Sequence, residues 1–385
     1  MMELIRALLS PLLSLVLMNL ACGLFNTFVS IRLDLQGYSA DTVGIVSASL
    51  YGGVLIGSLR LSRWISRVGH IFAFTVFCSI SAILVLGHAI WIDPWYWSFL
   101  RLMSGVCLAG IFIVVESWFL LQSSAQSRSG ALSIYLGVFY LALSAGQFLI
   151  NFSPVTTVAP FYISAFLLGT SILPMKMVRS AEPPRIENPA SNLSLREMFR
   201  LSPLGFWGGI ISGMILGAVY GLTPVYATSE GLSVFEIGFL MSILIFGGLS
   251  FQWPMGRWAD RSNRRNVLTF SCFGAVFSAI AIGLFGSLFF PLLLVLVWIF
   301  GGFSFTIYPL SMAYLCEKVA HEQIVSATGG FVLCYAIGAI AGPLLAPIAM
   351  DLMGGSGLFY FQAFLLAILG SCSTKNASKI STTDQ

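Results

Sequence analysis

Long apolar runs separated by short polar connectors follow one another along the whole chain. Twelve can be read, near 8–31, 43–62, 71–91, 98–121, 130–151, 158–177, 204–225, 234–256, 267–287, 292–315, 326–349 and 357–372. A helix rises about 1.5 Å per residue, so about 20 apolar residues cross roughly 30 Å of hydrocarbon. The pattern therefore predicts an all-α integral membrane protein with twelve transmembrane helices. The widest polar segment, 176–202, holds Pro183, Pro184 and Pro189 and divides the runs six and six. Expected domains are an N-terminal six-helix bundle at 1–175, a cytoplasmic linker at 176–202, and a C-terminal bundle with a short tail at 203–385. The last run, about 16 residues long, is short for a span.

The two halves repeat. A shift of 194 residues without gaps lays Gly37, Ser39, Gly44, Gly53 and Leu55 on Gly231, Ser233, Gly238, Gly247 and Leu249. The same shift lays Arg63, Trp64 and Arg67 on Arg257, Trp258 and Arg261. Six-plus-six parallel repeats build one class of transporter, with two pseudo-symmetric bundles around a central cavity.

Composition narrows the class further. Of the 385 residues 57% are apolar and 9% charged, against about 25% charged in soluble domains. Soluble enzymes, nucleic-acid binders and disordered scaffolds are excluded. With the N-terminus placed inside, 17 of the 19 Lys and Arg fall in inner segments, all but Arg32 and Arg101. Acids populate the outer loops: Asp34, Asp41, Asp93, Glu230, Glu236 and Asp351. Basic residues stay on the cytoplasmic side, so both termini are expected to be cytoplasmic. Trp91, Trp95, Tyr96 and Trp97 predict an aromatic belt at the outer interface. The seven cysteines are scattered without metal-ligand spacing and read as small apolar residues.

After the eighth run the chain reads Gly256-Arg-Trp-Ala-Asp260-Arg261-Ser-Asn-Arg264-Arg265. This resembles the loop signature of the major facilitator superfamily, G-x-L-A-D-R-x-G-R-R, with Trp258 and Asn263 as departures. A decayed copy follows the second run, where Arg67 and Gly69 survive while Ser62, Ser66 and His70 replace signature residues. VVESW (114–118), FQWPMGRWAD (251–260), FTIYP (305–309) and CEKV (316–319) make the chain similar to the YcaD-like bacterial branch. The resemblance implies a secondary transporter of a bacterial inner membrane that works by alternating access. It also implies that Gly256, Asp260, Arg261, Arg264, Arg265 and Arg67 belong to cytoplasmic latch loops; fixing topology is the simpler reading of those arginines.

Candidate functional residues follow from polarity inside the runs. Asn19, Gly23, Asn26 and Ser30 lie on one face of the first helix, at spacings of four, three and four. Arg101, in an R-x-x-S-G variant of the family's R-x-x-Q-G element, either meets an anionic substrate group or snorkels to the interface. Gln147, Tyr220 and Tyr308, with Asn19, Asn26 and Arg101, form the expected substrate cavity. Tyr220 and Thr223 occupy the place in the seventh run that matches the first helix's stripe. Glu116 is the one carboxylate well inside a run, about 22 Å and about 60° beyond Arg101 on an ideal helix. It reads either as a proton-coupling group or as a partner of Arg63, Arg67 or Arg128 in a charge network. The glycines at 209, 213, 217 and 221, and Gly338-x-x-x-Gly342, read as close-packing faces. The fifth run carries Gln147 where drug exporters of the superfamily have proline, which argues against drug antiport.

No catalytic set, cofactor or metal site is expected, and no nucleotide-binding loop is present in the sequence. The expected partners are a small polar or amphipathic substrate, protons and the lipid bilayer, with no nucleic acid, in a monomer. A membrane receptor or regulatory protein that keeps the fold without transporting is the alternative, favoured by the decayed first loop and the short last run.

Overall fold

The computed structural model describes residues 2–122, 128–177, 194–319 and 323–381, and every long element in them is helical. The chain is built from α1 (Met2–Leu35), α2 (Ala40–Val68), α3 (His70–His88), α4 (Pro94–Gln122), α5 (Arg128–Gln147), α6 (Ala159–Thr170) and α7 (Ile172–Lys176). Then come α8 (Leu195–Leu201), α9 (Pro203–Ser229), α10 (Val234–Arg261), α11 (Arg264–Phe285), α12 (Phe290–Cys316), α13 (Ile324–Met353) and α14 (Gly357–Ser381). Eleven of these helices are long and apolar enough to cross a membrane. Residues 1–189 with 233–242 form one compact unit, and 190–232 with 243–385 form the other. Most of the linker expected at 176–202 lies outside the described residues.

The sixth predicted span, 158–177, is not one helix. It breaks at Ser171 into α6 of 12 residues and α7 of 5. Pro174 explains the break, since it has no N–H to give and its ring crowds the carbonyl four residues back. The buried Ser171 hydroxyl donates to the Leu168 carbonyl at 2.6 Å, satisfying an acceptor at the helix end. The last span departs in the other direction: helix α14 does not stop near 372 but continues to Ser381, while its apolar, membrane-length part ends at Thr374 and stays short. The Gly256–Arg261 stretch, expected in a connector, forms the last turns of α10. Only Ser262 and Asn263 separate it from α11, where Asn263 is the N-cap and accepts from Arg265 N at 3.0 Å.

The repeat is visible in the loops. Gly37 and Gly231 both take positive φ, 82° and 77°, a conformation glycine adopts without a Cβ penalty. Gly37 N donates to Asp34 O, and Gly231 N to Thr228 O, at 2.8 and 2.9 Å. Ser39 and Ser233 then cap α2 and α10, Ser39 accepting from Thr42 N and Ser233 from Glu236 N, both at 3.4 Å. Identical turn chemistry fixes how the chain enters each of these helices.

The repeat also sets helix packing, separately in each unit. A Cβ at Gly53 of α2 would collide with the Leu102 carbonyl of α4, and one at Gly105 with the Leu50 carbonyl. In the other unit Gly247 of α10 stands against the Trp298 carbonyl of α12, and Gly301 against Leu244. The α1–α5 crossing pairs Gly23 with Leu143 O and Gly146 with Leu20 O; the α9–α13 crossing pairs Gly217 with Ala339 O and Gly342 with Met214 O. Every pair maps onto its counterpart by adding 194 on the first helix and 196 on the second. Lipid gives apolar helices no hydrophobic reason to associate, so close backbone approach at small residues supplies the contact.

In α8, Ser194 and Glu197 form a capping box, with Ser194 N donating to Glu197 Oε2 at 2.9 Å and Glu197 N to Ser194 Oγ at 3.3 Å. Met198 anchors this helix among Leu315, Ala327, Phe331 and Cys334. The Ser194 hydroxyl and amide hold the Glu197 carboxyl below the usual carboxylate range. A lowered folded value means that the box contributes above the ordinary carboxylate pKa and is lost as pH falls through the folded value.

This packing and capping can be tested separately. Gly53→Val should lower the unfolding midpoint by the equivalent of about 1–3 kcal/mol, the usual cost of overpacking. Gly52→Ala, next to it with nothing within 4 Å of an added Cβ, should not lower the midpoint and can raise it by the equivalent of up to about 1 kcal/mol in the same detergent. Amide exchange in α8 should accelerate at acid pH beyond the intrinsic rate, and Ser194→Ala should show the fast rate already at neutral pH.

Candidate functional site

The polar groups of the first unit converge on α1 and α4. Asn26 and Arg101 sit on facing helices, and Arg101 Nη1 donates to Asn26 Oδ1 at 2.7 Å. Arg101 Nη2 reaches the Phe25 carbonyl at 3.4 Å, and the guanidinium lies 4.6 Å from the centroid of the Phe25 ring. The side chain is 5% exposed, so it turns inward to α1 and does not snorkel to an interface. Each of these partners is neutral. Burial of an arginine among neutral dipoles and one ring face is costly unless several bonds share the charge.

Arg101 and Asn26 help line a cavity of about 50 Å3 within the first unit, together with Cys22, Ser81, Ser104 and Leu108. A site for a drug-sized ligand spans about 300–1,000 Å3, so this cavity admits only water-sized or small ionic groups in the present conformation. Arg101 Nε and Ser104 Oγ are buried and have no hydrogen-bond partner among the described residues.

The other sequence candidates occupy different settings. Asn19 is buried and its amide donates to the Leu15 carbonyl of its own helix at 2.9 Å. Gln147 is buried and accepts from Thr27 Oγ1 at 2.5 Å. The α1 stripe thus divides its work: Gly23 meets α5, Thr27 reaches Gln147, and Asn26 meets Arg101. Thr27 was absent from the sequence candidates, although it neighbours Asn26. In the second unit Tyr220 stands edge-on to Phe305, ring centres 5.9 Å apart. Tyr308 packs edge-on against Phe331 and Tyr335 at 5.1 and 5.0 Å.

Glu116 is exposed on α4. Among the described residues neither Arg63 nor Arg67 forms an ion pair with it; the Arg128 side chain lies outside those described. Arg67 is exposed in the last turn of α2. Arg264 bridges Asp260 at 3.3 Å and Glu317 at 3.1 Å, and also donates to the Ala313 carbonyl at 3.3 Å. It ties the end of α10 to the end of α12. Arg265 is buried, its Nε donating to the Ser373 carbonyl at 2.5 Å, which joins α11 to α14. Gly256 has open space where a Cβ would stand, and Arg261 is exposed.

Trp97 leaves the expected aromatic belt. It is fully buried, and its indole N–H donates to the carbonyls of Trp91 and His88 at 2.9 and 3.1 Å. Trp91 and Trp95 are 64% and 73% exposed.

The polar chemistry lies where the two halves differ. Applying the packing correspondence, Asn26 maps to Tyr220, Arg101 to Val297, Glu116 to Met312 and Gln147 to Pro343. The glycine framework is duplicated while these charged and amide groups belong to one half only.

The family model for the Major Facilitator Superfamily matches residues 11–292 and 231–375. An MFS-type transporter, YcaD, of Salmonella paratyphi B is 32% identical over 367 residues, which cover 95% of this chain and 94% of that protein. YcaD of Escherichia coli O7:K1 is 33% identical over 351 residues, 91% of this chain and 90% of that one. Among solved structures, a point mutant of the nucleoside transporter NupG superposes with a TM-score of 0.80 at 15% identity, covering 96% of this chain and 98% of that one. A D-xylose–proton symporter superposes with a TM-score of 0.75 at 14% identity, over 96% of each. Those identities establish the shared fold alone.

The two polar settings should respond differently to substitution. Asn26→Leu leaves the buried Arg101 without its shortest bond and should cost about 1.5–3 kcal/mol, read as a lowered unfolding midpoint. Glu317→Gln removes an ion pair whose acid is half-exposed, and should cost at most about 1 kcal/mol.

Proposed function

The chain belongs to the major facilitator superfamily, and from that premise we propose that it moves a small polar or amphipathic molecule across a bacterial inner membrane by alternating access, coupled to protons through Glu116. The observation that carries the coupling is the setting of Glu116: a carboxylate on a membrane-spanning helix, exposed at the surface of that helix, with no hydrogen bond or ion pair among the described residues. An ionised carboxylate facing hydrocarbon is expensive, so such a group faces a watery path or takes up a proton. Both ways of meeting that cost suit a carrier whose proton occupancy changes between conformations.

Asn19, Asn26, Arg101, Gln147, Tyr220 and Tyr308 remain the proposed substrate-facing set. Asn26 with Arg101 is its strongest member, since the two side chains bond directly between α1 and α4. In the charge-based orientation both termini are cytoplasmic, which puts Arg264, Asp260 and Glu317 at the inner surface. There the Arg264 bridge holds the ends of α10 and α12 together, with Arg67 and Arg261 at corresponding helix ends and Arg265 at the start of α11. The family match and the transporter relatives favour this reading over a receptor that has lost transport.

The test begins by finding a ligand. Thermal unfolding of the purified protein against metabolites, sugars, nucleosides and drugs should reveal at least one compound that raises the midpoint with dose, because binding to the folded form alone stabilises it. In proteoliposomes that compound should show saturable flux driven by a pH gradient. Glu116→Gln should reduce gradient-driven flux at least tenfold and leave counterflow exchange within about twofold, a loss of about 1.4 kcal/mol or more in the driven step alone. Equal loss of both modes, or no loss in either, contradicts coupling through Glu116. A wild-type protein with no saturable flux of any stabilising ligand contradicts transport itself.

A further inference from the structure

Arg101 is held in the first unit by three neutral partners: the Asn26 amide oxygen, the Phe25 carbonyl and the Phe25 ring. A guanidinium stays protonated throughout the physiological range, so its charge persists where it is 5% exposed. Among the described residues no Asp or Glu lines the adjoining cavity. Instead the lining presents donors: Arg101, Ser104, Cys22 and the Asn26 amide. Two donors, Arg101 Nε and Ser104 Oγ, are fully enclosed and make no hydrogen bond among the described residues. They are three residues apart on α4 and therefore on one helical face. Buried polar groups rarely go unpaired, and two such donors beside one cavity define a place for an acceptor.

We propose that this cavity binds one small monovalent inorganic anion of halide size, held by Arg101 Nε and Ser104 Oγ while Arg101 Nη1 stays on Asn26. The sign follows from the buried cation and the surplus of donors. The size follows from the volume of about 50 Å3, several times the roughly 10–15 Å3 that one water requires and well short of a metabolite pocket. An anion here offsets a charge that is otherwise costly to desolvate, and it does so in the half that carries arginine where the repeat has Val297. The proposal rests on the Arg101 geometry and is independent of transport.

The experiment uses the full-length protein in detergent with gluconate as the only anion, a species too large for the cavity. Chloride is then titrated at constant ionic strength, with radiolabelled chloride binding measured in parallel. The wild type should bind chloride saturably, close to one per chain, with displacement by bromide and a rise in the unfolding midpoint that tracks occupancy. Ser104→Ala should weaken chloride at least tenfold, and Arg101→Gln should abolish binding. Absence of saturable binding in the wild type overturns the proposal and assigns the cavity to water. Saturable binding that Ser104→Ala leaves unchanged overturns the assignment to this cavity. If Arg101→Gln does not fold, the wild-type and Ser104→Ala measurements still decide both points. Flux is not read at any stage, so failure here and failure of the transport reading are distinguishable.

Discussion

Two helices in hydrocarbon gain little from burying apolar side chains against each other, because lipid tails already surround them with apolar atoms. What remains is close contact between backbones, and the chain achieves it by placing glycine at the crossing points. Gly53 against Leu102 and Gly105 against Leu50 bring α2 onto α4; Gly247 and Gly301 do the same for α10 and α12. Each glycine stands against a carbonyl of the opposite helix where any side chain would collide. The backbone polar groups stay within their own helices, as the bilayer interior demands. Other features of each unit, including the Arg101 cavity and the Arg264 bridge, rest on helices positioned by these crossings.

Duplication of the framework leaves room for divergence of the chemistry. Asn26 has become the counterpart of Tyr220, and Arg101 the counterpart of Val297, without disturbing the glycines a few residues away. Gly105 lies one turn beyond Arg101, and Gly23 one turn before Asn26. A close crossing beside each polar group fixes the distance across which the side chains meet, which is how a 2.7 Å bond arises between residues 75 positions apart. Rigid packing and a costly buried charge therefore support each other.

Much of this was legible in the sequence. Span length and spacing identified the helices, the ungapped shift of 194 identified the repeat, and the 256–265 string pointed to the family. The glycine ladder was readable as a packing face, and Gly213 and Gly217 do meet Tyr335 and Ala339. Three features were not legible for physical reasons. The break at Ser171 depends on Pro174 acting backward on the preceding turn, and the apolar run continues straight through it. The ends of α10 and α14 carry charged or small polar residues that hydropathy assigns to connectors, although helical hydrogen bonds continue through them. The Asn26–Arg101 bond depends on the rotation of α1 against α4, and periodicity fixes a face without naming the partner that face will meet. Trp97 illustrates the same limit, since three neighbouring aromatics suggest an interface while helical rotation takes this one inside.

The glycine crossings should be the firmest contacts of each unit, with pH-dependent change confined to helix ends and polar sites. Hydrogen–deuterium exchange of the protein in nanodiscs, at mildly acidic and mildly alkaline pH and corrected for intrinsic rates, tests this most directly. Peptides covering Leu50–Gly53, Leu102–Gly105, Leu244–Gly247 and Trp298–Gly301 should be the slowest to exchange and should match between the two pH values, while helix-end peptides change. Opening of any of these crossings with pH, or protection no greater there than elsewhere in the same helices, would contradict it.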